Sequence, residues 1–225
     1  MKRRKTNFIM LMLSSVICFT VLNKADAQTS IKIGNQEWTS GNLNVATFKN
    51  GDTIPEAKTE EAWVEAGIAG KPAWCYYDND LTNADNYGKL YNWYAATDPR
   101  GLAPSGWHIP SDKEWTKLID YLGGEEDAGD KMKSNDGWDM DENGNNGGSN
   151  ESGFSGLPGG MRLDDSEGSF YYTYGGSTGQ WWSSTGYDKD NSLSFALNIT
   201  RINYIDVYSE VSVKNCGLSV RCLRD

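Results

Sequence analysis

The sequence predicts a single α+β domain, with two or three short helices in its first half and antiparallel strands in its second. A helical spacing of apolar residues follows Pro110, whereas the apolar segments after residue 169 are short and rich in aromatic and β-branched residues. Glycine and asparagine separate these segments, a pattern typical of short strands joined by long loops. Because no internal repeat or interdomain linker stands out, we expect one domain.

Three elements are predicted in the first half. A hairpin spans 31–38 and turns at Gly34 and the residue after it, since glycine-led two-residue turns match the twist of paired strands. A brief helix is expected over 59–66 with Thr59 as its N-cap. Apolar residues at i, i+3 and i+4 predict a second short helix over 89–96.

The clearest helix follows Pro110. Ser111 and Glu114 have the spacing of a capping box, in which each residue satisfies a backbone N–H of the other. The apolar stripe of this helix falls at i, i+3, i+4 and i+7: Trp115, Leu118, Ile119 and Leu122. We expect the stripe to face the core and Gly123 to end the helix.

The second half is predicted to form five strands. They are expected at 169–174, 180–184, 192–200, 204–208 and 218–223. In the third of them the apolar residues alternate strictly with small or polar ones, so one face should be buried. The polar stretch 143–153 is expected to be a surface loop.

The first 27 residues have the three parts of a secretory signal. Four basic residues precede a 15-residue, mostly apolar run over 8–22, and small residues stand three positions and one position before a cleavage site at Gln28. This predicts a signal peptide at 1–27 and a mature domain at 28–225. The apolar run is short for a membrane span, and the rest of the chain has no apolar stretch near the ~18 residues that a span needs, so we expect no stable span after cleavage. The protein is predicted to be secreted, at the outer cell surface or periplasmic.

Charge narrows the range of partners. The formal net charge is −10, and removing the signal leaves 16 basic and 30 acidic residues on 198, a net charge of −14. Nucleic-acid binding requires a basic surface that displaces counterions, so we expect no nucleic-acid partner.

The single histidine, His108, excludes sites that need two or three imidazoles, such as HExxH proteases and His-based iron centres. Its position between Trp107 and Ile109 predicts a buried imidazole that bonds loop carbonyls. No Gly-x-Ser-x-Gly turn or phosphate loop is present. We therefore expect a non-catalytic binding domain without a cofactor, for a glycan or a surface protein. The alternative is a secreted carbohydrate-active hydrolase that uses an Asp/Glu pair.

One loop has calcium-like spacing. Residues 139–144 match positions 1, 3, 5 and 6 of an EF-hand loop, but position 12 is Asn150 instead of glutamate. The candidate Ca²⁺ ligands are Asp139, Asp141, Asn143 and Asn145. The competing interpretation is a solvated polar loop.

Aromatic residues suggest a second candidate site. Alternation in 180–184 places Trp181 opposite Trp182, so one of them should face outward or pack under a loop. With Tyr171 and Tyr172 nearby in sequence, Trp181 could form an exposed strip on which a sugar ring stacks.

Three cysteines remain after signal removal, which predicts one disulfide and one free thiol in an oxidising compartment. Cys216 and Cys222 would be roughly 20 Å apart if the residues between them were extended. Cys75 is therefore the predicted partner of one of the two. Arg162 and Arg221 lie in strand-like segments and are expected to be structural, with carboxylate partners.

Several motifs in order resemble the Fibrobacter succinogenes major paralogous domain. They are IGNQEW at 33–38, YGKLYNWY at 87–94, PSGWHIPSDKEW at 104–115, GFSGLPGG at 153–160, WWSST at 181–185 and SVRC at 219–222. The resemblance covers about residue 31 to the C-terminus. It implies a secreted or surface domain of Gram-negative bacteria with no established activity.

The motif order is also similar to that of C-type-lectin-like domains. These share a looped two-sheet fold with formylglycine-generating enzymes, and the resemblance implies pairing of the terminal strands. The calcium-dependent sugar motifs and the catalytic cysteine pair of those families have no counterpart here. Many relatives carry a cysteine where Ala103 stands, and its absence favours a Cys75–Cys216 disulfide with Cys222 free over Cys75–Cys222.

Overall fold

The computed structural model describes residues 29–139, 147–164, 170–187, 193–200 and 207–225. Its α-helices are α1 (Glu60–Ile68), α2 (Ala84–Tyr87), α3 (Trp93–Ala96), α4 (Asp112–Tyr121) and α5 (Glu125–Met132). Its strands are β1 (Ser30–Ile33), β2 (Gln36–Thr39), β3 (Trp74–Cys75), β4 (Leu90–Tyr91), β5 (Trp107–His108), β6 (Gly159–Asp164), β7 (Phe170–Gly175), β8 (Thr178–Gly186), β9 (Leu193–Thr200), β10 (Val207–Val213) and β11 (Leu223–Arg224). The predicted α+β class is confirmed. The predicted signal peptide lies outside the described residues.

The two ends of the described chain meet in one sheet. Its strand order is β1-β2-β11-β5, so the last strand lies between the N-terminal hairpin and β5. Leu223 is the central residue, since it pairs with Trp38 on one side and His108 on the other. This pairing places the C-terminal residues beside the start of α4.

A larger sheet has the order β10-β9-β8-β6-β7, and β3 pairs with β4 in a separate two-stranded ladder. Neighbouring strands of the larger sheet are antiparallel except β6 and β8, which are parallel. In this strand order β8 is the central strand, with two strands on each side of it. Both of its faces can therefore be covered by other parts of the chain.

Two hydrophobic clusters cover β8. One contains Trp182 together with Trp107, Tyr91 and the C-terminal Cys222. The other contains Trp181 and the apolar stripe of α4, as predicted: Trp115, Leu118, Ile119 and Leu122. A third, smaller cluster surrounds Trp63 of α1. Of the described residues, none forms a helix long and apolar enough to cross a membrane.

The hairpin and two of the three predicted helices are confirmed, with Thr59 capping α1 through the N–H of Ala62. The helix predicted over 89–96 was wrong in its first half, which is strand β4. The reason is Asn92, the N-cap of α3. Its backbone is extended, and its side-chain Oδ1 accepts the N–H of Ala95. An N-cap inside the predicted helix separates it into two elements.

The later strands differ more from expectation. The strand predicted at 204–208 begins within the described residues at Val207 and continues to Val213. The segment 218–223 is mostly not a strand, because Leu218 and Ser219 form isolated bridges to Tyr91 and Trp181 instead of a continuous ladder. Helix α5 was not predicted, and strand β6 was anticipated only as the strand-like segment around Arg162. The first turn of α5 is entirely acidic, which hides its short apolar stripe.

Candidate functional site

Trp181 and Trp182 project to opposite sides of β8, and both are 0% exposed. Trp181 packs edge-on against Phe154 at 5.7 Å, and its Nε1 donates to Asn42 Oδ1 at 2.8 Å. The predicted exposed strip at Trp181 was therefore wrong. The alternation was correct, but both faces of this strand are covered.

Tyr172 packs against other side chains instead of extending such a strip. The Tyr172 ring packs 5.3 Å from that of Tyr77, and its hydroxyl accepts a hydrogen bond from Arg162 Nη1 at 3.3 Å. Burial raises the pKa of Tyr172 above its ordinary value. The backbone of Tyr171, in β7, pairs with that of Leu163 in β6. The side chain of Tyr171 is not among those that the structure describes.

No disulfide joins the cysteines within the described residues. Cys75, Cys216 and Cys222 are buried and not joined to one another by a disulfide, so neither predicted bridge forms. Cys75 lies in the small cluster around Trp63, whereas Cys216 and Cys222 lie in the cluster of Trp182. Cys75 thus lies in a different packed region from Cys216 and Cys222, which sequence spacing could not reveal.

Of the candidate calcium ligands, only Asp139 belongs to the described residues. Asp141, Asn143 and Asn145 lie outside them. The Asp139 backbone N–H donates to the carbonyl oxygen of Gly176 at 2.6 Å, which attaches this end of the loop to the β7–β8 turn. Among the described residues no cluster of histidine, cysteine and acidic side chains is placed to hold a metal ion.

His108 lies between two carboxylates instead of among loop carbonyls. Its Nδ1 is 2.9 Å from Asp225 Oδ1, and its Nε2 is 3.0 Å from Glu114 Oε1. Partial burial alone would lower the pKa of His108, but the hydrogen bonds to Asp225 and Glu114 outweigh it and raise that pKa. The prediction of a buried imidazole was wrong, because the His108 side chain is 37% exposed and is held by the carboxylates of Glu114 and Asp225.

The other carboxylate oxygen of Glu114 binds the N-cap residue of α4. Oε2 accepts the Ser111 N–H at 2.8 Å and the Ser111 hydroxyl at 2.7 Å. Partial burial alone would raise the pKa of Glu114, but the bonds from Ser111 and His108 lower it. The predicted capping pair thus also supplies a partner for His108.

This cluster is poorly suited to catalysis. Both ring nitrogens of His108 are occupied, so neither is free to accept a proton from a substrate. The imidazole also fills the space between Glu114 and Asp225 where a glycosidic bond would have to lie. In addition, a general acid needs a raised pKa, whereas that of Glu114 is lowered. The arrangement fastens the C-terminus to α4.

The two arginines are buried, but among the described residues their acceptors are carbonyl, amide and hydroxyl oxygens instead of the expected carboxylates. Arg221 donates from Nε to Asn42 Oδ1 at 2.8 Å, and from its terminal nitrogens to backbone carbonyls of Thr39, Phe154 and Ser155. Burial lowers the pKa of Arg221 to about 9. Arg162 similarly donates to the carbonyls of Ala57 and Thr59. Both arginines fix loops to the sheets.

An open groove of about 770 Å³ lies between the segments 42–49 and 102–107. Its floor includes the buried aromatic side chains of Phe48 and Trp107. Lys49 extends from one wall to the other, with Nζ 3.2 Å from the Trp107 carbonyl oxygen.

One end of this groove is charged. Arg224 lies over the Trp107 ring, with Cζ 5.0 Å from its centroid, and Arg224 Nε is 3.5 Å from Glu37 Oε2. Exposed polar side chains, among them Asn44 and Ser105, line the rest. The groove thus offers an apolar floor, hydrogen-bonding groups and both signs of charge.

The sequence did not single out the groove residues Lys49, Glu37 and Arg224, nor Asp225 as a partner of His108. Asp225 is 117 residues from His108, and nothing local relates them. The available signal was the pairing of terminal strands that the resemblance implied, since it brings the C-terminus beside β5.

A protein-family model described as the Fibrobacter succinogenes major domain matches residues 31–224. Comparisons with curated proteins and with solved structures found no match.

Proposed function

Because this chain belongs to the Fibrobacter succinogenes major domain family, we propose that it is a secreted or cell-surface domain that binds a glycan or a surface protein and catalyses no reaction. The observation that carries the proposal is the groove over Trp107. Its mixed apolar and polar lining is typical of binding sites, in which a few polar groups orient a ligand on an apolar surface.

The proposal includes a C-type-lectin-like or formylglycine-generating-enzyme-like arrangement of the chain. It is supported by the position of β11, which pairs with β2 near the start of the described chain. The signal-like residues 1–27 support export from a Gram-negative cell. Sequencing the N-terminus of the exported protein should give Gln28 as its first residue.

The binding role can be tested by blocking the groove. Ser105 is an exposed lining residue, so Ser105→Trp should fill the groove without disturbing the core. Thr116→Trp, on the exposed side of α4, is the matched control. We expect the exported protein to bind members of a glycan array or a surface-protein array, with at least one of these signals lost in Ser105→Trp and kept in Thr116→Trp.

The hydrolase alternative is tested with the same proteins. Release of reducing sugar from a polysaccharide panel by the wild-type protein would contradict the non-catalytic proposal. Array binding that is equal in Ser105→Trp and wild type would place the binding surface outside this groove.

A further inference from the structure

An exposed aromatic ring lies on the opposite end of α4 from His108. Tyr121 is the last residue of α4, and its side chain is 65% exposed. The ring lies against the β1–β2 turn, where a Cβ at Gly34 would come within 2.9 Å of Tyr121 Cδ2. Gly34 has a φ of +57° and no side chain, so one edge and face of the ring can approach the turn backbone closely. The rest of the ring is left to solvent.

The elements on both sides of this ring are packed into the core. Ile33 before the turn and Leu122 after Tyr121 are both buried, in the same cluster as the α4 stripe. The hairpin and the helix that carry the ring are therefore packed elements, not loops. A preorganised aromatic surface binds a ligand without the cost of ordering the side chain.

A groove of about 350 Å³ lies beside the ring. Its polar lining residues include the exposed Lys32 and Glu151, together with Lys131 and Ser152. Lys131 Nζ donates to the Leu122 carbonyl at 2.7 Å, and Ser152 Oγ donates to the Lys131 carbonyl at 2.6 Å. The groove wall is thus held by internal hydrogen bonds, while Lys32 and Glu151 extend a donor and an acceptor toward solvent.

We propose that Tyr121 and this groove form a carbohydrate-binding site. The apolar face of a pyranose ring stacks on the open face of Tyr121, and ring hydroxyls hydrogen-bond to Lys32 and Glu151. A flat aromatic surface bordered by charged donors and acceptors suits a ligand with an apolar face and a polar edge. An apolar peptide would instead require a groove with apolar walls.

This site is separate from the groove over Trp107, with which it shares no lining residue. It goes beyond the proposed function by assigning a ligand class to a second surface. The sugar-stacking residue predicted from the sequence was Trp181, and the structure places that side chain in the core. Tyr121 meets the requirement of exposure that Trp181 fails.

The test uses the exported protein and four neutral probes: cellopentaose, xylopentaose, mannopentaose and penta-N-acetylchitopentaose. Binding is followed by saturation-transfer NMR and by calorimetric titration. We expect at least one probe to bind and Tyr121→Ala to weaken it about tenfold, the loss that corresponds to one aromatic stacking contact. Tyr121→Trp should retain binding because it keeps the flat surface.

Tyr187→Ala is the matched control. Tyr187 is also exposed, at 56%, and is not among the residues that line the groove. This variant should bind like the wild type. Gly34→Ala is a second probe of the same geometry, since its methyl group must displace the Tyr121 ring and should also weaken binding.

Two outcomes would overturn the proposal: none of the four oligosaccharides binds, or a bound oligosaccharide is held equally well by Tyr121→Ala. If binding survives Tyr121→Ala but is lost in Ser105→Trp, the ligand occupies the groove over Trp107. That result would reject the Tyr121 site and leave the proposed binding function intact.

Discussion

Trp181 and Trp182 are adjacent in the chain, yet their side chains are fully buried in different hydrophobic clusters on the two sides of β8. Strand β8 is therefore covered by packed side chains on both faces. A single dipeptide connects the packing of α4 with that of the C-terminal segment, so loss of either indole should affect the whole fold.

We predict that Trp181→Ala lowers the free energy of unfolding by roughly 3–5 kcal/mol, because it removes a buried indole and leaves a cavity. Urea unfolding followed by circular dichroism measures the change. Trp182→Ala should have an effect of similar size, and Tyr121→Ala, at an exposed ring, should have little. Unchanged stability in Trp181→Ala together with lost ligand binding would restore the surface interpretation.

Asn42 joins three parts of the fold through its side chain. Its Oδ1 accepts from Trp181 Nε1 and Arg221 Nε, both at 2.8 Å, while its Nδ2 donates to the Tyr87 carbonyl at 2.9 Å. We predict that Asn42→Ala lowers the free energy of unfolding by about 3 kcal/mol or more, since each buried polar group left unsatisfied costs about 1–3 kcal/mol.

Asn42→Asp separates the roles of the two amide atoms. It keeps an acceptor for Trp181 and Arg221 and adds a negative charge beside the guanidinium, but it cannot donate to Tyr87. We expect it to be less destabilising than Asn42→Ala in the same urea experiment. Equal losses in the two variants would show that the donor to Tyr87, and not the acceptor, carries the stability.

His108 should titrate above the ordinary histidine pKa of 6.5, because Asp225 and Glu114 favour its protonated form. As the only histidine, it gives one set of imidazole C–H signals in an NMR titration. Asp225→Asn should move its pKa back toward 6.5. Asp120→Asn, at an exposed acid of α4, is the matched control and should leave it unchanged.

The same cluster predicts how stability depends on pH. The raised pKa of His108 gives a contribution that is full below pH 6.5 and disappears as the pH rises through the folded-state value. The lowered pKa of Glu114 gives one that is full above pH 4.5 and is lost as the pH falls through its folded-state value. Their joint contribution should be greatest between pH 4.5 and 6.5.

We expect this contribution to be no more than about 1 kcal/mol, since the groups are partly exposed and screened by solvent. The difference in unfolding free energy between the wild type and His108→Gln, measured from below pH 4.5 to above pH 8, tests it. A difference that grows above pH 8 would contradict the assignment.

The thiols should be unreactive in the folded protein. Burial raises the pKa of Cys75, and it raises that of Cys222 to about 12, so neither forms the reactive thiolate at neutral pH. We predict that Ellman's reagent detects no thiol in the native domain 28–225 and three in guanidinium chloride. Detection of one thiol after unfolding would instead indicate the disulfide expected from the sequence.

Much of the fold could be predicted from local patterns. The stripe of α4, its capping pair and the β1–β2 turn each depend on residues within a few positions of one another, and all were correct. The helix predicted over 89–96 failed because one internal residue, Asn92, competes for the same backbone groups. The later strand limits depended on distant partners that local periodicity does not contain.

The sequence by itself determined the α+β class, the principal helix, the family motifs and the alternation of Trp181 with Trp182. Only the tertiary structure decided that both faces of β8 are covered, that His108 meets Asp225 and that Tyr121 stays exposed. The periodicity of apolar residues predicts which side chains share a face, because the repeat of the backbone decides that. Whether that face is covered depends on segments far away in the chain, and long-range packing alone settles it.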